Sequence, residues 1–179
     1  MSLRIALLGL LTAYGSASGY DLAKSFERSV AHVWQAGHSQ IYPELAKMTA
    51  DGLVTVEVEG GRGRKIYSIT PEGRAELRAW MAAHDPTGPA RNEIALQAFL
   101  LPLLDPGEAL AVLERLRAHA ERKLAELEAL HAAKHASPVP EGATTGVRFG
   151  DLALDLGIRQ TRTTLAWAND AIATIGRRA

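Results

Sequence analysis

Residues 38–74 limit what this chain can fold into more than any other stretch. They run His38-Ser39-Gln40-Ile41-Tyr42-Pro43-Glu44-Leu45 to Asp51-Gly52, then Leu53–Glu59. Next come Gly60-Gly61-Arg62-Gly63-Arg64-Lys65 and Ile66–Thr70, and the stretch ends Pro71-Glu72-Gly73-Arg74. Ile41, Leu45 and Met48 recur at spacings of four and three, the stripe of a helix that buries one side. Pro43 sits well only near a helix start, so the boundary near Ser39 is loose. Gly52 suits the position just past the helix end. Val54, Val56 and Val58 alternate along one strand, and Tyr67 and Ile69 along a second, so the glycine-rich turn between them makes a hairpin. Thr70 caps a further helix, with Pro71 at its first position, running to about residue 84.

A helix followed by a hairpin with a cationic tip is the layout of a winged helix. The preceding residues complete it. Residues 3–13 are apolar almost all round. Such a helix is covered on more than one side, by its own domain and by a second domain or a partner subunit. The same stretch also resembles a signal peptide, with Ser16-Ala17-Ser18 as a loose cleavage site. It is too short to span a bilayer. A buried first helix, retained in the mature protein, is the reading the winged layout requires. Ser18-Gly19-Tyr20-Asp21 then starts a second helix, serine capping and aspartate reaching back, with Leu22 and Phe26 on one face to about Ser29.

Asp85-Pro86-Thr87-Gly88-Pro89 reads as a linker, so a DNA-binding domain is expected over 1–84, a linker over 85–90 and a helical domain over 91–179. The expected fold class is mainly α with a small β-hairpin. Helices are expected over about 91–101, 107–135 and 148–176. The second carries Leu113, Leu116, Ala120, Leu124, Leu127 and Leu130. The third carries Leu154, Ile158, Thr161, Leu165, Ala168, Ile172 and Ile175 as a heptad seam. Two long helices with apolar stripes want partners. A homodimer through Leu113, Leu116, Leu124, Leu127, Leu154, Ile158, Leu165 and Ile172 is therefore expected, with an intramolecular bundle using the 91–101 helix as the alternative.

The chain has 20 basic and 20 acidic residues in 179, which argues against an unspecific polyanion binder. Residues 1–84 hold nine basic and eight acidic side chains, so DNA affinity must come from placement. Cysteine is absent, which removes disulfides and thiolate metal sites and agrees with a reducing cytoplasm. No catalytic motif is found, so an enzyme is not expected, nor a cofactor or a membrane partner.

Two constellations point to double-stranded DNA. Ser39, Gln40, Tyr42, Pro43 and Lys47 lie away from the core stripe of their helix and bring donors, acceptors and one cation to a groove. They are equally a solvated helix face. Arg62, Gly63, Arg64 and Lys65 at the hairpin tip suit phosphates or a minor groove. His131 and His135, four apart with Glu128 one turn earlier, have metal-ligand spacing but are commoner as surface decoration. Trp167 on the last helix could line a dimer cavity for a small apolar effector or simply be core.

The chain resembles the PadR family of transcriptional regulators. Leu7-Leu8-Gly9-Leu10-Leu11, Ser18-Gly19-Tyr20-Asp21-Leu22, Ser39-Gln40-Ile41-Tyr42-Pro43-Glu44-Leu45, Asp51-Gly52-Leu53-Val54 and Tyr67–Arg74 carry the resemblance, over residues 3–80. The helical C-terminal part is similar in pattern to the larger PadR subgroup. The resemblance implies a cytoplasmic homodimeric repressor on an inverted-repeat operator. It puts the 39–52 helix in the major groove, the wing on the flanking backbone and Tyr20 on a phosphate. Some members are released by small molecules, but no residue pattern here identifies a ligand. A winged module kept for protein contacts and a metal- or ligand-sensing helical protein are the alternatives.

Overall fold

A computed structural model describes residues 3–29, 38–59, 63–85, 92–136 and 149–177. The chain divides into two compact units, Met1–Thr87 and Gly88–Ala179. Trp34, Arg62 and most of the expected linker lie outside the described residues.

The first unit is built on α1 (Leu3–Tyr14). Ile5, Leu7, Leu8, Leu10 and Leu11 are buried. The helix contacts α2 (Gly19–Ser29), α3 (His38–Ala50), strand β3 (Arg64–Ile69) and α4 (Pro71–Ala83), all in the same unit. The near-continuous apolar surface of residues 3–13 is therefore covered largely by its own domain. Leu22 and Phe26 of α2 and Ile41, Leu45 and Met48 of α3 complete this core, each about 1% exposed or less.

Helix α3 begins five residues before Pro43, deeper than a proline normally sits. Pro43 has no N–H to offer the Ser39 carbonyl. The buried stripe at 41, 45 and 48 outweighs that loss. At the other end the Gly52 amide donates to the Thr49 carbonyl at 3.1 Å and the Leu53 amide to Met48 at 2.9 Å, the paired bonds of a Schellman close. Arg4 of α1 fastens α3 from the side. Its Nε donates to Glu44 at 3.1 Å and its Nη2 to Asp51 at 2.6 Å, with Glu76 of α4 at 4.0 Å.

The sheet has three strands, not two. β2 (Val54–Glu59) pairs antiparallel with β3, Val56 opposite Tyr67 and Glu59 opposite Arg64. A two-residue strand, β1 (Ala17–Ser18), adds to the other side of β3. Two residues carry no readable alternation, so β1 left no trace in the sequence pattern. The valine face of β2 is covered only at its root: Val54 is 2% exposed and Val58 66%.

Thr70 joins the end of α3 to the start of α4. Its hydroxyl donates to the Gly52 carbonyl at 2.8 Å and accepts from the Gly73 amide at 3.0 Å. Gly73 lies so close beneath that a Cβ there would overlap the Leu53 carbonyl oxygen and press on Ile69 and Leu8.

The second unit is helical. Asn92 caps α5 (Glu93–Leu100), and a single 3-10 turn follows at Leu101–Leu103. Asp105 and Glu108 form a capping box at the start of α6 (Pro106–His135). This long helix packs along α7 (Asp151–Gly176). Lys134 and Asp151 pair at 2.8 Å, and Glu128 and Arg162 at 2.6 Å.

The apolar seam expected to meet a second chain is in large part used inside this one. Leu113, Leu127, Leu154 and Ile158 are buried, with Leu127, Leu154, Ile158 and Leu124 in one cluster between α6 and α7. Leu116, Leu124, Leu165 and Ile172 are half-buried. Helix α5 buries no residue and so is not a third core member. The apolar surface left over is elsewhere, at Leu96, Phe99 and Leu103 beside α5 and at Phe149, Leu152 and Leu156 around the start of α7.

Gly73→Ala is expected to lower stability by about 1–3 kcal/mol, because the added methyl meets backbone and not a movable side chain. Thermal unfolding measures it; an alanine variant melting with the wild type would show that the α3–α4 junction has slack.

Candidate nucleic-acid interface

The residues singled out on α3 all reach solvent. Ser39, Gln40, Tyr42, Pro43 and Lys47 are exposed, while Ile41, Leu45 and Met48 between them are buried. The split follows from the helical period: burying positions 41, 45 and 48 turns the intervening positions outward.

Tyr42 sits where α3 meets the start of α2. Its ring lies against Gly19, where a Cβ would stand 2.5 Å from the Tyr42 Cε1. Only glycine admits the ring this close. Next to it runs an open groove of about 600 Å³. Ser18, Gly19 and Tyr20 line it from one side and Tyr42 and Ala46 from α3. Gly63, Arg64, Lys65 and Tyr67 line it from the wing. The groove thus gathers five of the expected contacts, Tyr20, Tyr42, Gly63, Arg64 and Lys65. Ser39, Gln40, Pro43 and Lys47 lie on α3 outside its lining, and Arg62 is outside the described residues.

Two features of the groove escaped the sequence. Tyr67 brings a buried phenol to its floor. Burial first, then the neighbouring Tyr42, raises the Tyr67 pKa above the ordinary tyrosine value, so its hydroxyl keeps its proton. Arg64 is the other. Its Nη2 donates to Asp21 Oδ2 at 2.5 Å and lies 3.4 Å from the Ser18 hydroxyl. Ser18 in turn donates to the same Asp21 oxygen at 2.7 Å and accepts from the Asp21 amide at 3.2 Å. The hydrogen bond from Ser18 holds the Asp21 carboxyl below its usual range; burial opposes it, and the hydrogen bond from Arg64 adds to the lowering. The capping serine and aspartate were legible as a pair. Their link to an arginine 43 residues away was not.

The second unit offers no comparable chemistry among the described residues. His131 and His135 lie with ring centroids 4.2 Å apart, tilted by 43°, but Glu128 is engaged by Arg162, and no cluster of three or more metal-type ligands forms among the described residues. Trp167 is half-buried on α7. No helix among the described residues is long and apolar enough to cross a membrane.

Comparisons with known proteins identify the family. The model of the PadR-like transcriptional regulator family matches residues 7–79, and that of the virulence activator alpha C-terminal region matches residues 90–176. The chain is 30% identical over 179 residues to the negative transcriptional regulator PadR of Bacillus subtilis, covering 98% of each. The crystal structure of that PadR in complex with operator DNA superposes with a TM-score of 0.85 at 30% identity, over 97% of this chain and 98% of that one. Its complex with p-coumaric acid superposes at 0.82, with 29% identity and the same coverage. The Vibrio cholerae virulence activator AphA superposes at 0.76 and 27% identity, over 99% of this chain and 100% of that one. These proteins are regulators and not enzymes, and their winged-helix fold with a helical C-terminal region is the fold found here. By this full-length relation the chain belongs to the PadR-like family of transcriptional regulators.

Proposed function

We propose that this chain is a homodimeric repressor that binds an inverted-repeat operator and lets go of it when a small aromatic effector binds. The observation that carries the reading is the division of α3 into a fully buried stripe and an exposed face of Ser39, Gln40, Tyr42, Pro43 and Lys47. In a helix held this firmly, that face is free to read base edges in a major groove. Lys65 and Gly63, with Arg62 beside them, carry the wing to the flanking phosphates, and Tyr20 adds a hydroxyl at the start of α2. Bacillus subtilis PadR, solved both with operator DNA and with p-coumaric acid, supports the DNA and effector parts. Support for the dimer comes from the apolar side chains left uncovered at Leu96, Phe99, Leu103, Leu152 and Leu156, among others. Leu116, Leu124, Leu165 and Ile172, half-covered within the chain, can contribute at its edge.

Selection from random duplexes at two salt concentrations tests this. An enriched palindrome is expected, with half-sites about 34–36 Å apart or a multiple of that, and weakened at the higher salt. Sedimentation of the free protein should return twice the 19.2 kDa chain mass. No enrichment at either salt would turn the winged unit into a surface for protein contacts instead.

Lys47→Ala and Lys65→Ala should each weaken binding to all sequences and reduce the slope of log affinity against log salt by about one. A slope unchanged in both would remove these lysines from the phosphate contacts.

Gly19→Ala should leave the melting temperature close to wild type, because the exposed Tyr42 ring can swing away from the new methyl. Operator affinity should fall roughly fivefold, the worth of about one hydrogen bond. Unaltered affinity would mean that the seat of Tyr42 is irrelevant to binding.

A further inference from the structure

We propose that Arg64 is not a phosphate ligand but a positioning residue, the counter-ion that neutralises Asp21 and moors the outer end of the wing to the start of α2. The inference rests on the DNA-binding reading above and revises one residue within it.

Arg64 opens β3 at the outer end of the hairpin, opposite Glu59 and next to the turn. Its guanidinium turns back to Asp21 at 2.5 Å instead of outward. Asp21 itself is not at liberty to move. Its carboxylate accepts from the hydroxyl of Ser18 at 2.7 Å, and Ser18 is itself buried, only 5% exposed. Ser18 is also held in β1, opposite Ile66 of β3. A carboxylate is thus locked beside a groove that has to face a polyanion. Left bare, it would repel the phosphates. An exposed ion pair of this kind is worth little as stability, so its importance lies in the charge it cancels. A neutral Asp21–Arg64 pair displaces no counter-ion from DNA and adds nothing to the salt dependence. Lys65, the next residue, has no ion pair among the described residues and is the cation open to a phosphate.

The test is a double-mutant cycle with Arg64→Gln, Asp21→Asn and the two combined, reading affinity for the selected operator over a range of salt. Arg64→Gln alone is expected to bind about tenfold more weakly, because it uncovers a negative charge in the interface. The double variant should recover to within about threefold of wild type and keep the wild-type salt slope. Two results would overturn the proposal. One is a double variant as weak as Arg64→Gln with its salt slope reduced by about one, the mark of a lost phosphate contact. The other is an Arg64→Gln variant that binds like wild type. Thermal unfolding of the same four proteins reads the pairing without DNA. Losses in the single variants that exceed the loss in the double support it, and simple additivity overturns it. A wild-type protein that binds no duplex defeats the DNA-binding reading, while the unfolding cycle still decides the pairing.

Discussion

The winged unit depends on the burial of one helix. Leu7, Leu8 and Leu11 of α1 have almost no contact with solvent, and Ile5 and Leu10 little more. Each such side chain is worth about 1.5–3 kcal/mol of transfer out of water. Because α1 touches α2, α3, α4 and β3, it sets the position of every element that carries a candidate DNA contact. Arg4 adds direction to this non-directional attraction. A helix packed by leucines alone can rotate or slide. One tied by a guanidinium to Glu44 and Asp51 keeps the angle at which Tyr42 and Lys47 leave the surface.

The hairpin is held differently. Its valines are covered only at the root, so packing does not fix its direction. Three polar links do that work: the short pairing of β1 with β3, the Thr70 hydroxyl bridging Gly52 and Gly73, and Asp21 gripping Arg64. The wing is thus tied along its length, at its base by Thr70, midway by β1 and at its outer end by Asp21.

Elements governed by local period and local chemistry were legible from the sequence. The α3 stripe at 41, 45 and 48, the Gly52 close, the Thr70-Pro71 start and the Ser18-Asp21 cap all stand in the structure where residue spacing puts them. What depends on residues distant in sequence was not legible. The two-residue β1 exists only because β3 lies beside it. Arg64 reads as a free wing cation until Asp21, 43 positions earlier, is seen against it. The long helices show the same limit. Their heptads state that Leu127 and Leu154 need apolar company, and periodicity cannot say whether the company is the neighbouring helix or another chain. The structure gives them each other. The site residues share this mixed outcome: Tyr20, Tyr42 and Lys65 converge on one groove, whereas the part played by Gly19 in seating Tyr42 becomes visible only at contact distance.

The cancellation of Arg64 by Asp21 has a consequence for how such a regulator would search a genome. With the chain neutral overall and one wing cation spent internally, little attraction remains for DNA of arbitrary sequence. A protein of this kind does not linger on random duplex. On the proposed reading it would leave quickly, sample by repeated short encounters and stay only where the tyrosine, glutamine and serine of α3 meet matching base edges. Occupancy of an operator is then set by the quality of fit more than by the number of copies held nearby on the chromosome.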